Sequence, residues 1–296
     1  MRCLVFGGTG MLGQAVVAEA RSRGWAALGL SHAQADVAGA AEPLLAWADG
    51  FRPELVVNCA AFTNVDACET EQTRAFAVNG EAVSKVAAVA ARAAAPLIHV
   101  STDYVFDGTA RAPYREDSST NPLSVYGRSK LAGEAHAVAY ERGLVVRASW
   151  LFGPGGPNFV AKMVDLIATG RVPLTVVRDQ EGCPTYAPFL ARALLDLAQR
   201  EVTGVVHYRN RGPVSWYAFA VEIARLWSEA VEVVPITTAE FPRPAPRPAY
   251  SVLDVTRFER CAGRPVEPWE WGLVETLRHL REERDPRHPR FLRKGR

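Results

Sequence analysis

The sequence predicts an α/β protein built on a doubly wound parallel sheet. A glycine-rich turn closes the first apolar run, and short apolar runs then alternate with helix-like segments through the first half of the chain. Such alternation is typical of a parallel sheet with helices on both faces. With 296 residues, of which 48% are hydrophobic, the chain can form one large domain or a domain with a smaller lobe.

Five short apolar runs in the first half have the pattern of buried parallel strands. They span residues 3–6, 26–30, 55–59, 96–100 and 144–147. Continuous apolar runs of this length are expected where both faces of a strand are covered. Helices are predicted between them at residues 12–23, 44–50, 71–95 and 123–142. Gly24 is expected to cap the first helix, and Pro122 precedes the last one.

The turn between the first strand and the first helix is the predicted binding site for a dinucleotide. Gly7, Gly10 and Gly13 have the spacing G-x-x-G-x-x-G, and Met11 and Leu12 begin the helix. Glycines let the backbone approach a pyrophosphate, and the helix amino terminus offers N–H groups and a favourable dipole.

The second half of the chain predicts a smaller, discontinuous lobe. Its predicted helices are at residues 158–169, 188–200 and 216–227, its strands are at 174–177 and 205–208, and its loops are at 153–157, 178–185 and 241–248. The last loop is rich in proline and is expected to cross back over the domain. We therefore predict a dinucleotide-binding Rossmann domain in residues 1–150. Residues 151–296 should form mainly a substrate-binding lobe, with some segments returning to the first domain.

Charge and cysteine content narrow the class of protein. The 34 Lys and Arg residues nearly balance the 32 Asp and Glu residues, which argues against a nucleic-acid partner bound through phosphate attraction. The basic segment from Arg284 to Arg296 is expected to be a solvated tail. Five scattered cysteines without a C-x-x-C pair indicate free thiols in a reducing cytoplasm. No signal peptide is recognised, and no apolar run approaches the roughly 20 residues that a membrane span needs.

The residues after the second strand bear on the choice between NADPH and NADH. An acidic residue there would bind the ribose 2′-hydroxyl and favour NAD, but the chain has Ser31 and His32, which could donate to a 2′-phosphate. The sequence therefore favours NADPH and leaves NADH open. Asp36, followed by Val37, could meet the adenine amino group or could be a surface-loop acid.

Two further groups of residues are placed beside the cofactor. Ala60, Ala61 and Thr63 follow the third strand, and small residues there suit a backbone that passes close to the cofactor ribose and phosphates. Tyr126 and Lys130 lie four residues apart on the predicted helix and share one face. Because an ammonium beside a phenol favours the phenolate, we expect a lowered tyrosine pKa and a proton donor usable near neutral pH.

The pattern Y-x-x-x-K is common in proteins, and it indicates a catalytic pair only together with other motifs. A dinucleotide turn begins the chain, and Ser101 and Thr102 end an apolar run upstream of the tyrosine. Together these features indicate a hydride-transfer enzyme.

Several blocks of the sequence resemble the extended short-chain dehydrogenase/reductases: the glycine pattern, N-C-A-A at 58–61, S-T-D-Y-V-F at 101–106 and Y-x-x-x-K at 126–130. Longer blocks are similar to the dTDP-4-dehydrorhamnose reductase family. They are S-T-D-Y-V-F-D-G at 101–108, N-P-L-S-V-Y-G at 121–127, K-L-A-G-E at 130–134, R-A-S-W-L-F at 147–152, N-F-V at 158–160, D-Q-E-G-C-P-T at 179–185 and R-P-A-Y-S-V-L at 247–253. The resemblance runs from Met1 to about Leu280.

The resemblance implies NAD(P)H-dependent reduction of the C4 ketone of dTDP-4-dehydro-6-deoxy-L-mannose to dTDP-L-rhamnose. Tyr126 would protonate the forming alkoxide, Lys130 would lower the tyrosine pKa and hold the nicotinamide ribose, and Thr102 would hydrogen-bond the carbonyl oxygen. Hydride supplies two electrons, so the protein must supply one proton and a polarised carbonyl. The alternative for Thr102 is an ordinary strand threonine.

The same resemblance implies the substrate-binding residues. Asp103 and Trp150 would line the sugar pocket, and Asn158, Gln180 and Arg247 would meet the nucleotide diphosphate. Trp150 could instead be a core aromatic residue, and Arg247 a surface guanidinium.

A metal site is not expected. Some members of the family hold a metal through glutamates at a dimer interface, but the matching position here is Gln14. No other segment has metal-ligand spacing, and Asp66 and Glu69 are expected to cap or support the helix that follows them. A homodimer stays open.

Two other functions stay open. The methionine adenosyltransferase regulatory subunit resembles this family too, so the chain could be a non-catalytic NADP-binding regulatory subunit. It could also be a 4-ketoreductase or epimerase for another deoxysugar nucleotide.

Overall fold

The computed structural model describes residues 1–228 and 230–284 of the chain. Its strands are β1 (Arg2–Phe6), β2 (Ala26–Leu30), β3 (Leu55–Asn58), β4 (Leu97–Thr102), β5 (Gly143–Ala148), β6 (Leu151–Phe152), β7 (Leu174–Val177), β8 (Glu181–Gly182), β9 (Thr185–Tyr186), β10 (Gly204–Tyr208), β11 (Val214–Ser215) and β12 (Val233–Ile236). Its helices are α1 (Met11–Ser22), α2 (Glu42–Phe51), α3 (Val65–Thr70), α4 (Gln72–Phe76), α5 (Ala82–Arg92), α6 (Val125–Ala139), α7 (Phe159–Ala168), α8 (Ala187–Gln199), α9 (Trp216–Trp227), α10 (Thr256–Ala262) and α11 (Trp269–Arg284).

Six parallel strands form the central sheet in the spatial order β2-β1-β3-β4-β5-β10. This arrangement confirms the predicted doubly wound parallel sheet. The chain passes from β1 to β2 and then returns to the other side of β1 to form β3, so the strand order reverses beside β1. Ligands of open α/β sheets bind at such a reversal, beyond the carboxyl ends of the strands.

Helices cover both faces of the sheet. Buried residues of α1, α8 and α10 pack on one face, and those of α2, α5 and α6 pack on the other. A separate apolar cluster joins α7, α9 and α11 to the strand pair β7 and β12. Since β10 pairs with β5, a segment beyond residue 150 packs on the central sheet, while the division into two domains at that residue stays a prediction.

The predicted uninterrupted helix at 71–95 is wrong. The structure has α4, a π-helical segment (Ala77–Glu81) and then α5, with the additional helix α3 ahead of them. The wide turn directs Asn79 toward the loop after β3, where its side chain accepts from the Phe62 N–H at 2.8 Å and donates to the Phe62 carbonyl at 3.0 Å. Insertions of this kind often occur at functional sites.

Other expectations can be compared with the described residues. All five cysteines are free thiols. No helix in residues 1–228 and 230–284 has the length and apolar character needed to span a bilayer. Except for Arg284, the basic tail lies outside the described residues.

Candidate active site

The predicted functional residues lie at the carboxyl edge of the central sheet. The glycine turn follows β1, Ala60 follows β3, Asp103 follows β4 and Trp150 follows β5. Parallel strands bring these positions to one edge of the sheet, beside the reversal of strand order.

The glycine turn has no room for a side chain at the first or the last glycine of the motif. A Cβ atom on Gly7, where φ is 71°, would lie 2.7 Å from the Ala60 nitrogen, and one on Gly13 would lie 2.1 Å from the Gly7 carbonyl oxygen. Residue Gly10 precedes α1, and no side chain in the described part of the chain caps that helix end. The turn therefore fits a diphosphate, which would accept from the free N–H groups of α1.

A cavity of about 260 Å³ extends from this turn over the end of β2. Its lining includes the predicted cofactor residues Gly7, Gly10, Asp36, Val37, Ala60 and Ala61 together with His32. It also includes Arg74 of α4, which the sequence analysis missed. The Arg74 guanidinium pairs with Glu71 at 2.8 Å and lies 4.4 Å from the centre of the Phe62 ring.

The Ser31 hydroxyl donates to the Gln34 side chain at 2.9 Å. The Asp36 carboxylate accepts from the Ala38 N–H at 3.0 Å and lies 3.8 Å from the exposed His32 ring. Ser31 and Asp36 therefore both take part in local turn contacts, and their roles toward a cofactor stay predictions.

Tyr126 lies in the first turn of α6. Two contacts fix this helix end: the Ser124 side chain accepts from the Gly127 N–H at 3.1 Å, and Glu69 accepts from the Val125 N–H at 2.8 Å. Glu69 thus supports α6 rather than the helix that follows Glu69 in sequence, which corrects the expectation for this residue. The Thr102 side chain is buried and is a hydrogen-bond partner of the Tyr126 phenol.

Lys130 lies one turn further along α6 and is only 2% exposed. Its Nζ donates to the Val100 carbonyl at 2.7 Å and lies 3.3 Å from His99 Nε2. Burial lowers the pKa of Lys130 to about 8, while the Glu134 carboxylate and Cys59 raise it. The lysine therefore loses its charge as the pH rises through this value.

The expectation that Lys130 lowers the pKa of Tyr126 is wrong for this structure. Burial raises the pKa of the phenol, the hydrogen bond with Thr102 lowers it, and the Asp103 carboxylate raises it further. The physical reason is that the lysine ammonium is directed to a carbonyl of β4. The phenol therefore keeps its proton throughout the neutral range.

Asp103 and Trp150 lie close to this group. The Asp103 carboxylate is buried and accepts from the Thr102 hydroxyl at 3.0 Å, and burial raises its pKa to about 6 although Ser251 and Thr102 lower it. Its Oδ2 atom has no well-formed hydrogen bond in the described part of the chain. Trp150 has a left-handed backbone with φ of 47°, and its ring stacks on Trp216 with the centroids 3.6 Å apart.

Asn158 and Gln180 already have protein partners. Asn158 caps α7, accepting from the Ala161 N–H at 3.1 Å, and donates to the Gly153 carbonyl at 2.8 Å. Gln180 is buried and donates to Thr238 at 3.0 Å. Their contacts with a diphosphate stay predictions.

Arg247 and Arg243 hold the proline-rich segment (residues 241–248) against α3. Both guanidinium groups pair with Asp66, and Arg247 also interacts with the Tyr104 phenol, whose ring packs edge-on against Tyr126. Asp66 therefore binds a distant segment and does not cap the helix after α3, so this expectation was wrong. The role of Arg247 toward phosphate stays a prediction.

Replacing Asp66 by Asn is expected to loosen the proline-rich segment. Arg247, then Arg243 and the Ala245 N–H, hold the pKa of Asp66 at about 2 against the effect of burial. The ionised carboxylate therefore stabilises the fold above its ordinary pKa of about 3.9, and this contribution is lost as the pH falls toward the lowered value. We expect the Ala245 amide, which donates to Asp66 at 3.2 Å, to exchange its hydrogen about tenfold faster at neutral pH. Asp117→Asn, which removes an exposed partner of Arg115, is the control, and equal exchange rates in the two variants would contradict this expectation.

No group of three or more His, Cys, Asp or Glu side chains within residues 1–228 and 230–284 is arranged to hold a metal ion. Gln14 instead donates to the Thr9 carbonyl at 2.6 Å and to the Gly155 carbonyl at 3.1 Å.

Comparison with known proteins gives consistent matches over almost the whole chain. A family model described as the RmlD substrate binding domain matches residues 1–282. A dTDP-4-dehydrorhamnose reductase from Streptomyces griseus is 41% identical over 284 residues, which cover 93% of each chain. A probable dTDP-4,6-dihydroxy-2-methyloxan-3-one 4-ketoreductase from Streptomyces antibioticus is 40% identical, with 94% of this chain and 95% of the relative covered. The structure of dTDP-4-dehydrorhamnose reductase from Bacillus anthracis in complex with NADP has a TM-score of 0.89 and 32% identity, with 94% of this chain and 99% of that chain covered.

Proposed function

The chain belongs to the RmlD substrate binding domain family, which matches it from residue 1 to residue 282, and from this membership we propose that it is an NADPH-dependent reductase. The substrate is dTDP-4-dehydro-6-deoxy-L-mannose, and reduction of its C4 ketone gives dTDP-L-rhamnose. The relatives named dTDP-4-dehydrorhamnose reductase support the substrate, and the solved relative in complex with NADP supports the cofactor.

The observation that best supports this function is the grouping of Thr102, Tyr126 and Lys130 at the edge of the sheet that also holds the glycine turn. The three side chains are brought together by β4 and the first two turns of α6. A phenol with a hydroxyl partner is suited to protonate the oxygen of a ketone during its reduction.

A bound reduced nicotinamide supplies the hydride for the carbonyl carbon. Tyr126 donates its proton to the carbonyl oxygen as negative charge develops there. The Thr102 hydroxyl, which donates to Asp103 in this structure, turns to donate its hydrogen bond to the same oxygen. Since an alkoxide is far more basic than a phenolate, this proton transfer is favourable even though the pKa of Tyr126 is raised. Lys130 holds positive charge beside the nicotinamide ribose below pH values of about 8.

The sugar is held by residues beyond the ends of β4 and β5. Asp103, whose carboxylate accepts from Thr102 and also interacts with Ser251, lines the sugar pocket in this proposal. The half-buried Trp150 ring, which stacks on Trp216, offers apolar surface to the deoxysugar. Arg247, which is close to Tyr104, pairs with the diphosphate in this proposal.

The decisive experiment follows NADPH oxidation with dTDP-4-keto-L-rhamnose and with its GDP- and UDP-linked analogues. We expect turnover to be most efficient with the dTDP compound, which should have the highest kcat/KM of the three. Absence of turnover with all three compounds would refute the proposal. A second substrate is favoured by the Streptomyces antibioticus relative, a probable 4-ketoreductase acting on another dTDP-linked sugar. Turnover of such a sugar at a higher kcat/KM would assign the chain to that reaction.

We expect Arg74 to contribute to the preference for NADPH over NADH. Its guanidinium lines the same cavity as His32, and no acidic residue at Ser31 repels a 2′-phosphate. Arg74→Gln should therefore weaken NADPH binding about tenfold through loss of a charge-assisted hydrogen bond and leave NADH binding unchanged. Fluorescence titration with each cofactor measures both values.

Glu71→Gln is the matched control for Arg74, because it removes the present partner of the guanidinium and keeps the guanidinium itself. This variant should bind NADPH at least as well as the unaltered protein. A similar loss of affinity for both cofactors in Arg74→Gln would contradict a role in phosphate recognition.

We also propose a cytoplasmic location, which the free thiols support. The two-domain division at residue 150 and the homodimer stay proposals of the sequence analysis. Nucleic-acid binding is not proposed, since the formal net charge is only +2.

A further inference from the structure

A row of three buried polar side chains lies beneath the proposed active site. Asn58, His99 and Lys130 are 1%, 0% and 2% exposed. The Asn58 amide nitrogen lies 3.1 Å from His99 Nδ1, and His99 Nε2 lies 3.3 Å from Lys130 Nζ. The histidine therefore connects the end of β3 with the functional helix α6.

The hydrogen bonds of this row define which ring nitrogen carries the proton. The Asn58 side-chain oxygen already accepts from the Ala60 N–H at 3.1 Å, so its amide nitrogen is the group that faces His99. A donor facing Nδ1 makes that atom an acceptor, and the single proton of the neutral ring then resides on Nε2. Nε2–H requires an acceptor, which only the uncharged amine of Lys130 can provide at this contact.

Protonation of Lys130 exchanges the donor and acceptor at both contacts of the row, Asn58–His99 and His99–Lys130. An ammonium has no lone pair and must donate to Nε2, which moves the ring proton to Nδ1. The Asn58 amide must then turn so that its oxygen accepts from Nδ1–H. Its nitrogen then faces the Ala60 N–H, and because both groups are hydrogen-bond donors, they cannot bond to each other. The charged state of the lysine therefore costs one hydrogen bond at Ala60, a predicted cofactor-binding residue.

We propose that His99 is a positioning residue that fixes Lys130 and, through the orientation of the Asn58 amide, sets the pH at which the lysine loses its charge. This inference rests on the proposed function, because it concerns the residue that holds the nicotinamide ribose. It extends that function by assigning a control of the lysine charge to two side chains that do not touch the reacting atoms.

Two other titratable groups, Glu134 and Cys59, also interact with Lys130. Neither of them forms a hydrogen bond with the lysine in the way that His99 does. The Glu134 carboxylate of α6 is already bound by Arg147 at 2.7 Å. Burial raises the pKa of the Cys59 thiol to about 12, so the thiol stays neutral. Burial and Lys130 hold the pKa of His99 well below its ordinary value, so the ring stays neutral and acts through its tautomers.

The test measures NADPH binding by fluorescence between pH 7 and about 9.5, across the range where lysine loses its charge when its pKa is lowered. In the unaltered protein, affinity should fall as the pH rises through about 8, where Lys130 loses its charge. In His99→Gln the amide oxygen accepts from the ammonium without any change at Asn58. We expect the midpoint of this fall to move up by about one pH unit, which is a tenfold change in the protonation equilibrium.

His207→Gln is the matched control. His207 is the other wholly buried histidine of the central sheet, and its ring contacts the Tyr114 carbonyl at 3.1 Å and Arg147 at 3.3 Å, away from Lys130. Its removal should leave the midpoint unchanged, so a shift specific to His99→Gln separates the proposed role from a general loss of packing.

Asn58→Asp provides a second test if His99→Gln does not fold. One carboxylate oxygen can accept from the Ala60 N–H and the other from Nδ1–H, so no two donors face each other when Lys130 is charged. The pH midpoint of the fall in NADPH affinity should therefore rise in this variant as well. An unchanged midpoint in the folded variants, or no pH dependence in the unaltered protein, would overturn the proposal. If NADPH binding shows the expected shifts and no keto sugar nucleotide is reduced, then the proposed function fails while this inference stands.

Discussion

Tyr126→Phe is expected to lower kcat for reduction of the dTDP-4-keto sugar by about 10²–10⁴-fold, the usual contribution of a positioned general acid. The substitution removes one oxygen atom from a half-buried side chain and leaves the ring in place against Tyr104. The affinity for NADPH should stay nearly unchanged because the glycine turn and the cavity that extends from it over β2 are not altered. Steady-state kinetics at saturating NADPH measure the first value, and fluorescence titration measures the second.

Two other variants make this result specific. In Tyr140→Phe the lost hydroxyl donates to the Ala95 carbonyl at 2.8 Å, near the opposite edge of the sheet, and kcat should stay unchanged. In Lys130→Ala both kcat and NADPH affinity should fall, because the proposed contact that positions the nicotinamide ribose is lost. Full activity of Tyr126→Phe would mean that another group donates the proton.

The pH dependence of kcat follows from the directions of the two pKa shifts. Burial raises the pKa of Tyr126, so the acid keeps its proton above the ordinary tyrosine pKa of about 10. The loss of activity on the alkaline side should therefore come from Lys130, whose pKa is about 8. We therefore expect the alkaline limit of activity to follow the charge of Lys130 and the phenol to stay protonated across it.

The sequence predicted the central sheet because continuous apolar runs and glycine turns are local signals of buried parallel strands. It failed where the decisive contact is distant. The π-helical segment Ala77–Glu81 has the same apolar periodicity as an ordinary helix, and it depends on Asn79 bonding to a loop that precedes it by 17 residues. The strand β12 contains Pro235 and, within residues 1–228 and 230–284, pairs with β7 alone, so its sequence pattern was weak.

The candidate site shows the same division between local and distant information. Spacing along one helix places Tyr126 and Lys130 on a common face, but the direction of the lysine depends on the β4 carbonyl beneath it. Arg74 was missed because it comes 43 residues after Ser31 and reaches the cofactor cavity only through the fold. Asp66 was misassigned because its partners Arg243 and Arg247 follow it by more than 170 residues.

Glu134→Ala is expected to cause the largest loss of stability, about 3–5 kcal/mol in the free energy of unfolding. The Glu134 carboxylate accepts from Arg147 Nη2 at 2.7 Å and from the Ser101 hydroxyl at 2.6 Å, and both ionic side chains are nearly inaccessible to water. Its removal leaves a guanidinium charge inside the protein without a carboxylate, and that uncompensated charge is more costly than the pair is favourable. Urea denaturation with and without the substitution measures the difference.

A comparison with the surface ion pair of Asp49 and Arg92 shows whether the loss of stability comes from burial of the charge or from loss of an ion pair as such. Asp49→Ala removes a carboxylate that binds Arg92 with two contacts of 2.7 and 2.8 Å, a geometry as good as that of Glu134, but on the exposed surface. The midpoint of its urea denaturation should stay close to that of the unaltered protein, because water solvates the released arginine. Equal destabilisation by the two substitutions would mean that the Arg147 charge is compensated by another group, for which His207 at 3.3 Å is the nearest candidate contact. Since Glu134 also raises the pKa of Lys130, Glu134→Ala should in addition move the alkaline limit of activity to lower pH, which a purely structural role of the pair would not do.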